Sequence, residues 1–423
     1  MDIIDTYKII SEGVETNVII QKEGTNFKYL VFIPDITRPT LIFVRELKKR
    51  LLLEVNINLQ DILDQNAMQT AKKDFSQSAL KIIREIMPGL EKRVEDFLIG
   101  ILIHEMLGLG DIEFLLEDKN LEEIVIVSSR EPVKVYHKKY GWLETNINLK
   151  DELQIINYAN IIARRIGRQI TTLNPLLDAH LISGDRGNAV LYPISHKGNT
   201  ITIRKFAGDP WTVTDFIKNN TCSAEIFALI WMAMQYELNI LVSGGTASGK
   251  TSFLNVIMPF IPPNHRVISI EDTLELQLPK FLYWTPLTVR PPNSEGKGEV
   301  TMLDLLINTL RMRPDRIIMG EIRKADQAEV LFEAMHTGHS IYATVHADSI
   351  GETIRRLTNP PISISPNLLT EVNLNVVMFR DRRKGIRRVY QLGEFYVSED
   401  GASVKPNILY RWKPLEDKII VHG

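Results

Sequence analysis

The pattern of apolar and polar positions changes character twice along the chain. Two strand-like runs, Thr16 to Ile20 and Phe27 to Ile33, flank Glu23-Gly24-Thr25 and predict a hairpin. From Leu41 onward apolar residues recur at spacings of three and four with charges between them. Residues Leu41 to Val55, Ser78 to Met87 and Arg93 to Leu107 therefore predict amphipathic helices, punctuated by Pro88-Gly89. Residues 1–105 are expected to form a small, mainly helical N-terminal domain. Short strand-like runs follow at Glu123 to Val127, Val133 to His137, Ala189 to Ile194 and Thr200 to Arg204, around one helical stretch, Glu152 to Ile166. That mixture predicts an α+β domain with an antiparallel sheet over residues 106–208. Gly208-Asp209-Pro210 then suggests a hinge.

Beyond the hinge, strand and helix patterns alternate. Strands are expected at Ile240 to Val242, Val267 to Ile270, Arg316 to Met319, Ser340 to Thr344 and Leu374 to Phe379. Helices are expected at Ile226 to Tyr236, Lys250 to Ile257, Met302 to Arg311, Asp326 to Met335 and Ile350 to Leu357. The fold class is therefore α/β, with a mostly parallel sheet wrapped by helices over residues 209–423, ending in a C-terminal tail. The Pro/Gly-rich stretch Arg290 to Gly298 suggests a mobile loop.

The strand Asn239-Ile240-Leu241-Val242 runs into Gly244-Gly245-Thr246-Ala247-Ser248-Gly249-Lys250-Thr251 and then into helical Ser252-Phe253-Leu254. The spacing G-x-x-x-x-G-K-[ST] between a strand and a helix is that of a phosphate-binding loop. Glycines let successive N–H groups point inward, and the helix N-terminus adds its positive end. Lys250 can reach the β/γ-phosphates and the Thr251 hydroxyl can ligate Mg²⁺. Residues Gly244 to Ser252 are thus expected to bind a nucleoside triphosphate with Mg²⁺.

Hydrolysis would further need a carboxylate for the attacking water, a metal ligand, and positive charge for the developing phosphate oxygens. Four clusters offer them: Ile270-Glu271-Asp272-Thr273-Leu274-Glu275, Met319-Gly320-Glu321-Ile322-Arg323, Thr337-Gly338-His339 with Val345-His346-Ala347-Asp348, and Ser183-Gly184-Asp185-Arg186 with Ile201 to Phe206. Three of these sit at expected strand ends, where ligand sites of α/β sheets lie.

Composition narrows the class. The 423 residues are 44% hydrophobic and 24% charged, as in ordinary globular proteins. Lys and Arg number 50 against 52 Asp and Glu, a net charge of −2 that argues against a dedicated nucleic-acid binder. Cys222 is the single cysteine, which excludes an intramolecular disulfide and a cysteine-based zinc site. Met1-Asp2-Ile3-Ile4-Asp5 lacks the basic start and apolar core of a signal peptide, and the longest apolar stretches are interrupted by His104, Glu105, Gln235 and Glu237. A cytoplasmic protein is expected, able to dock on a membrane partner.

The ordered motifs resemble the secretion ATPase superfamily of type II secretion, type IV pili, type IV secretion and the archaeal motility filament. Ser269 to Glu275 looks like its Asp box, Arg316 to Arg323 its Walker B segment ending in Gly-Glu, and Thr337 to His346 its His box. Gly108-Leu109-Gly110-Asp111-Ile112-Glu113 and Tyr140-Gly141 are similar to its PAS-like second domain, and Phe332 to His339 with Arg355 to Pro361 look like the archaeal branch.

The resemblance implies a RecA-like domain after the PAS-like one, with Glu271 polarising water and Glu321 a Mg²⁺ ligand through water. It implies that Arg186 and Arg204 reach the phosphates, and that His339 and His346 couple the γ-phosphate region to a subunit interface. It further implies a homohexamer, peripheral at the inner face of the cell membrane, acting on a polytopic platform protein. The bacterial type II members' four-cysteine zinc element is absent here. A RecA-type nucleic-acid motor and a non-hydrolysing nucleotide-binding scaffold are the alternatives. Near-neutral charge counts against the first, and retention of Glu271 and Glu321 against the second.

Overall fold

A computed structural model describes residues 2–24, 26–32, 38–54, 65–181, 184–206, 210–292, 296–398 and 403–422. The chain is a mixed α/β protein whose described residues form two nine-stranded sheets, one in each of two compact units, residues 1–208 and 209–423.

The first unit opens with β1 (Asp2–Ser11), β2 (Val14–Glu23) and β3 (Asn26–Phe32), followed by α1 (Arg38–Glu54), α2 (Gln65–Ile86), α3 (Lys92–Met106) and α4 (Ile112–Glu117). It continues with β4 (Leu121–Ile126), β5 (Lys134–His137), β6 (Gly141–Thr145), α5 (Glu152–Arg164), β7 (Leu176–His180), β8 (Arg186–Val190) and β9 (Thr200–Arg204). Glu12 and Gly13, at φ 47° and 80°, close the β1–β2 hairpin in the left-handed geometry that suits a two-residue turn. In β2 the alternate residues Val14, Thr16, Val18 and Ile20 are buried.

The sheet order is β1-β2-β3-β6-β5-β4-β9-β8-β7. Strand β3 pairs in parallel with β6 through Lys28–Glu144 and Tyr29–Thr145. The boundary expected near residue 105 therefore falls within one unit whose first three strands continue the later sheet. A buried polar joint reinforces this: the Tyr7 and Tyr29 hydroxyls donate to Asp118 Oδ2 at 2.6 and 2.7 Å. Burial and the Asp118 charge raise both phenols above their ordinary range. Lys205 Nζ donates to the carbonyls of Leu115 and Asp118, which anchors the chain just beyond Arg204.

The second unit contains α6 (Val213–Lys218), α7 (Ala224–Gln235), β10 (Ile240–Gly244), α8 (Lys250–Ile257), β11 (Arg266–Glu271), β12 (Tyr283–Thr288), α9 (Met302–Thr309) and β13 (Arg316–Met319). It ends with α10 (Ala325–His336), β14 (Ser340–Val345), α11 (Ile350–Thr358), β15 (Leu374–Asp381), β16 (Ile386–Val397), β17 (Val404–Lys413) and β18 (Lys418–Val421). The order is β12-β11-β13-β14-β10-β15-β16-β17-β18, parallel from β12 to β15 and antiparallel thereafter. Strands β10, β13 and β14 are buried throughout, as parallel strands covered on both faces must be.

Buried polar side chains fix β10 in place. Asn375 Nδ2 and Thr353 Oγ1 donate to Ser243 Oγ at 2.7 and 2.8 Å, and Asn239 bonds both the Ile341 N–H and the Glu371 carbonyl. Cys222 is buried, and burial pushes its thiol above the usual range. The predicted hinge residues Gly208 and Asp209 lie outside the described residues, as do Ser183 and part of the Arg290 to Gly298 stretch. Among the described residues, no helix is long and apolar enough to cross a membrane.

Candidate nucleotide site

Parallel strands deliver their C-terminal residues to one sheet edge. Strands β10, β11, β13 and β14 thereby bring the glycine loop, Glu271, Glu321 and His346 to the same side of the second unit. The loop has the backbone its glycines permit. Gly244 and Gly249 adopt φ 151° and 99°, Ala247 adopts 59°, and a Cβ on Gly245 would stand 2.7 Å from Asp348 Oδ1. Lys250, in the first turn of α8, donates to the carbonyls of Gly244 and Gly245 at 2.9 and 3.1 Å. Burial lowers its pKa, against the opposing pull of Glu321, Asp348 and Glu275. Thr246 Oγ1 lies 3.1 Å from His346 Nε2, so His346 touches the loop directly.

Glu271 ends β11 at 3% exposure. Its Oε2 accepts the Glu275 and Leu276 N–H groups at 2.8 and 3.0 Å, while Oε1 is buried and accepts no hydrogen bond among the described residues. Burial pushes its pKa up to about 7, with those N–H groups and a smaller contribution from Ser269 pulling the other way. Gly320 packs against it: a Cβ there would stand 3.6 Å from Glu271 Cγ. Glu321 Oε2 accepts two bonds from Arg323, from Nε at 3.0 Å and Nη2 at 2.7 Å, and Arg323 Nη1 donates to Asp272 Oδ2 at 2.6 Å.

The Thr251 hydroxyl and these carboxylates are hard oxygen donors of the kind Mg²⁺ takes, and Glu271 Oε1, without a hydrogen-bond partner among the described residues, is a further acceptor. No three His, Cys, Asp or Glu side chains converge as a metal cage among the described residues.

His339 stands apart. It precedes β14, at the opposite edge of the sheet from the loop, roughly 20 Å away for a six-residue strand. There Nδ1 lies 3.2 Å from the Ala334 carbonyl. Arg186 and Arg204, in the first unit, are direct cross-strand partners on β8 and β9. Such a like-charge pair is unfavourable by itself, and the nearby acids are Asp178, 3.5 Å from Arg186, and Glu123, in register with Arg204.

Sequence reasoning gave no role to three further residues at the loop's edge of the sheet. Arg323 and Asp348 lay inside quoted motifs, and proximity to Glu321 and His346 was the available signal. Arg387 lay in the run Arg380 to Arg388, whose charge density went unused. Its Nε donates to the Ala247 carbonyl at 3.3 Å.

The model of the family described as "Type II/IV secretion system protein" matches residues 169–381, which include the glycine loop, Glu271, Asp272 and Glu321. The chain belongs to this family. It is 38% identical over 336 residues to Uncharacterized protein MJ0900 of Methanocaldococcus jannaschii, covering 78% of this chain and 60% of the relative. This family member therefore spans about three fifths of that relative's length. It is 30% identical to type IV secretion system protein PtlH of Bordetella pertussis, over 59% of this chain and 83% of the relative. Among solved structures, the ATPase DotB of Legionella pneumophila is 22% identical over 68% of this chain and 80% of its own, at a TM-score of 0.49.

Proposed function

We propose that the protein is a Mg²⁺-dependent ATPase of RecA-like design whose hydrolysis drives motion of the first, PAS-like unit against the second. The observation that carries this reading is a glycine loop with its lysine, and a buried carboxylate with one oxygen lacking a hydrogen-bond partner among the described residues, both at the carboxyl ends of parallel strands of one sheet. Lys250 and the loop N–H groups hold phosphate charge. Glu271 orients the water and takes its proton, for which a pKa near 7 is well matched. Thr251, and Glu321 through water, would hold Mg²⁺, which would supply positive charge at the phosphate oxygens. Arg186 and Arg204 contribute permanent guanidinium charge to the same phosphates. His346 reports the state of the loop through Thr246, and His339 belongs to a subunit contact.

The motor acts as a homohexamer on a polytopic membrane platform at the inner face of the cell membrane. It powers type IV pilus-like or archaellum-like filament assembly, or secretion. Membership in the secretion family and the likeness to PtlH support the setting. Lys250→Ala is expected to weaken binding of a fluorescent ATP analogue at least ~10-fold, whereas Glu271→Gln binds it and loses roughly 10²- to 10⁴-fold in turnover. Near-normal turnover in Glu271→Gln would transfer the base to Glu321.

A further inference from the structure

We propose that Arg323 and Mg²⁺ compete for Glu321, so that the hold of Arg323 on this carboxylate weakens loading of the site with metal. The inference rests on the nucleotide reading above and adds a residue that regulates metal entry.

Arg323 lies two positions beyond Glu321, where the chain leaves β13, and its guanidinium reaches across to the end of β11. Three of its five N–H donors are committed to two acids: Nε and Nη2 to one oxygen of Glu321, Nη1 to Asp272. Two donors on Glu321 Oε2 leave that oxygen little capacity to accept from a metal-bound water. Both acids pull the guanidinium in, and its charge cannot be discharged, because arginine does not lose its proton in proteins. A divalent cation brought to the same carboxylates meets that fixed positive charge. Either the cation is held more weakly or the arginine moves away.

Movement is feasible. The Arg323 side chain is 57% exposed, against 25% for Glu321 and 36% for Asp272, so it is the least enclosed member of the cluster. Exposed ion pairs are individually weak, and a divalent ion can displace one. The bidentate hold on Glu321, extended to Asp272, makes the contact specific enough to matter. Lys250 cannot play this part, since its ammonium is directed to the carbonyls of its own loop.

The test uses the full chain and a methylanthraniloyl-ADP probe, whose fluorescence is followed as Mg²⁺ is titrated at fixed nucleotide. ADP is not hydrolysed, so the readout is independent of turnover. Arg323→Ala is expected to lower the half-saturating Mg²⁺ concentration by roughly 3- to 10-fold, the scale of one or two exposed ion pairs acting together. Arg323→Lys keeps one positive charge but not the fork, and is expected between wild type and Arg323→Ala. A side chain this exposed should leave the melting temperature nearly unchanged, which separates loss of competition from loss of fold. An unchanged Mg²⁺ midpoint in Arg323→Ala, with nucleotide still bound, would overturn the competition alone. A raised midpoint would also overturn it, by making Arg323 an aid to loading. Failure of the wild-type chain to bind the probe at any Mg²⁺ concentration would overturn the nucleotide reading itself, and this inference with it.

Discussion

Glu271→Gln separates two consequences of one buried carboxylate. A rise from the ordinary 4.5 to about 7 means that ionising Glu271 in the folded protein is disfavoured, at about 1.4 kcal/mol per tenfold, by about 3 kcal/mol. Since the folded pKa is the higher one, the unfolded chain releases this proton first as pH rises. Stability associated with the group is complete below 4.5, falls between 4.5 and 7, and is fully lost above 7. Glutamine carries no such penalty, and its carbonyl can keep the Glu275 and Leu276 N–H bonds. Its NH₂ would occupy the position of Oε1, which has no hydrogen-bond partner among the described residues, at a cost of about 1–2 kcal/mol. The net expectation is a variant about 1–2 kcal/mol more stable than wild type at pH 8 and less stable at pH 4.5. Urea unfolding at both pH values measures it. The same carboxylate should give the kcat/KM of wild-type ATP hydrolysis an acid limb near pH 7. A stability difference that stays constant from pH 4.5 to 8 would refute the burial argument, and a profile flat through pH 7 would remove Glu271 as the base.

Two further predictions probe other parts of the chain. Arg204→Ala is expected to cut ATP turnover by ~10³-fold or more while probe binding persists, because its charge is assigned to the transition state; a melting temperature near wild type would show that the fold is intact, and normal turnover would make the Arg186–Arg204 pair structural. Asp417→Asn removes the charge partner of buried Arg388, which bonds it at 2.7 Å through both Nε and Nη2, and should cost about 1–2 kcal/mol in urea unfolding at pH 7, less than a fully buried pair because Asp417 is 43% exposed. Arg388 holds the Asp417 pKa down to about 2, so this contribution is complete above the ordinary 3.8 and the gap between variant and wild type should close as pH falls towards 2.

The parallel half of the second sheet was legible because buried strands leave unbroken apolar runs, as in Ile240-Leu241-Val242. Strand β12 was missed because Pro286 interrupts it and its residues are half exposed, as befits a sheet edge. Strands β16 to β18, anticipated only as a tail, mix arginines and lysines with their apolar positions, and their pairing comes from neighbouring strands that no local pattern reveals. The edge position of β1 likewise leaves Ile3, Ile4 and Ile10 exposed and blurs its alternation. In the candidate site, loop and carboxylates could be read because spacing and strand ends suffice to place them. The Arg323 bridge could not, because it depends on β11 and β13 being neighbours although α9 and β12 lie between them in the chain.

The position of β10 also sets a timetable for synthesis. Its flanking strands come late: Asn375 bonds the Leu241 carbonyl from 134 residues downstream, and Ile341 reaches Asn239 across 102. At 5–20 residues per second, the segment that seats Gly244 leaves the ribosome on the order of ten seconds after the glycine loop itself. Until β14 is made, Ile240, Leu241 and Val242 lack both lateral neighbours, and until β15 follows they lack one, a short sticky ribbon on a nascent chain. The glycine loop is among the first motifs of the second unit to be translated and among the last to acquire its shape. A nascent chain stalled before Leu374 would carry the whole loop sequence and still leave β10 open along one side, a target for holding chaperones rather than for ATP.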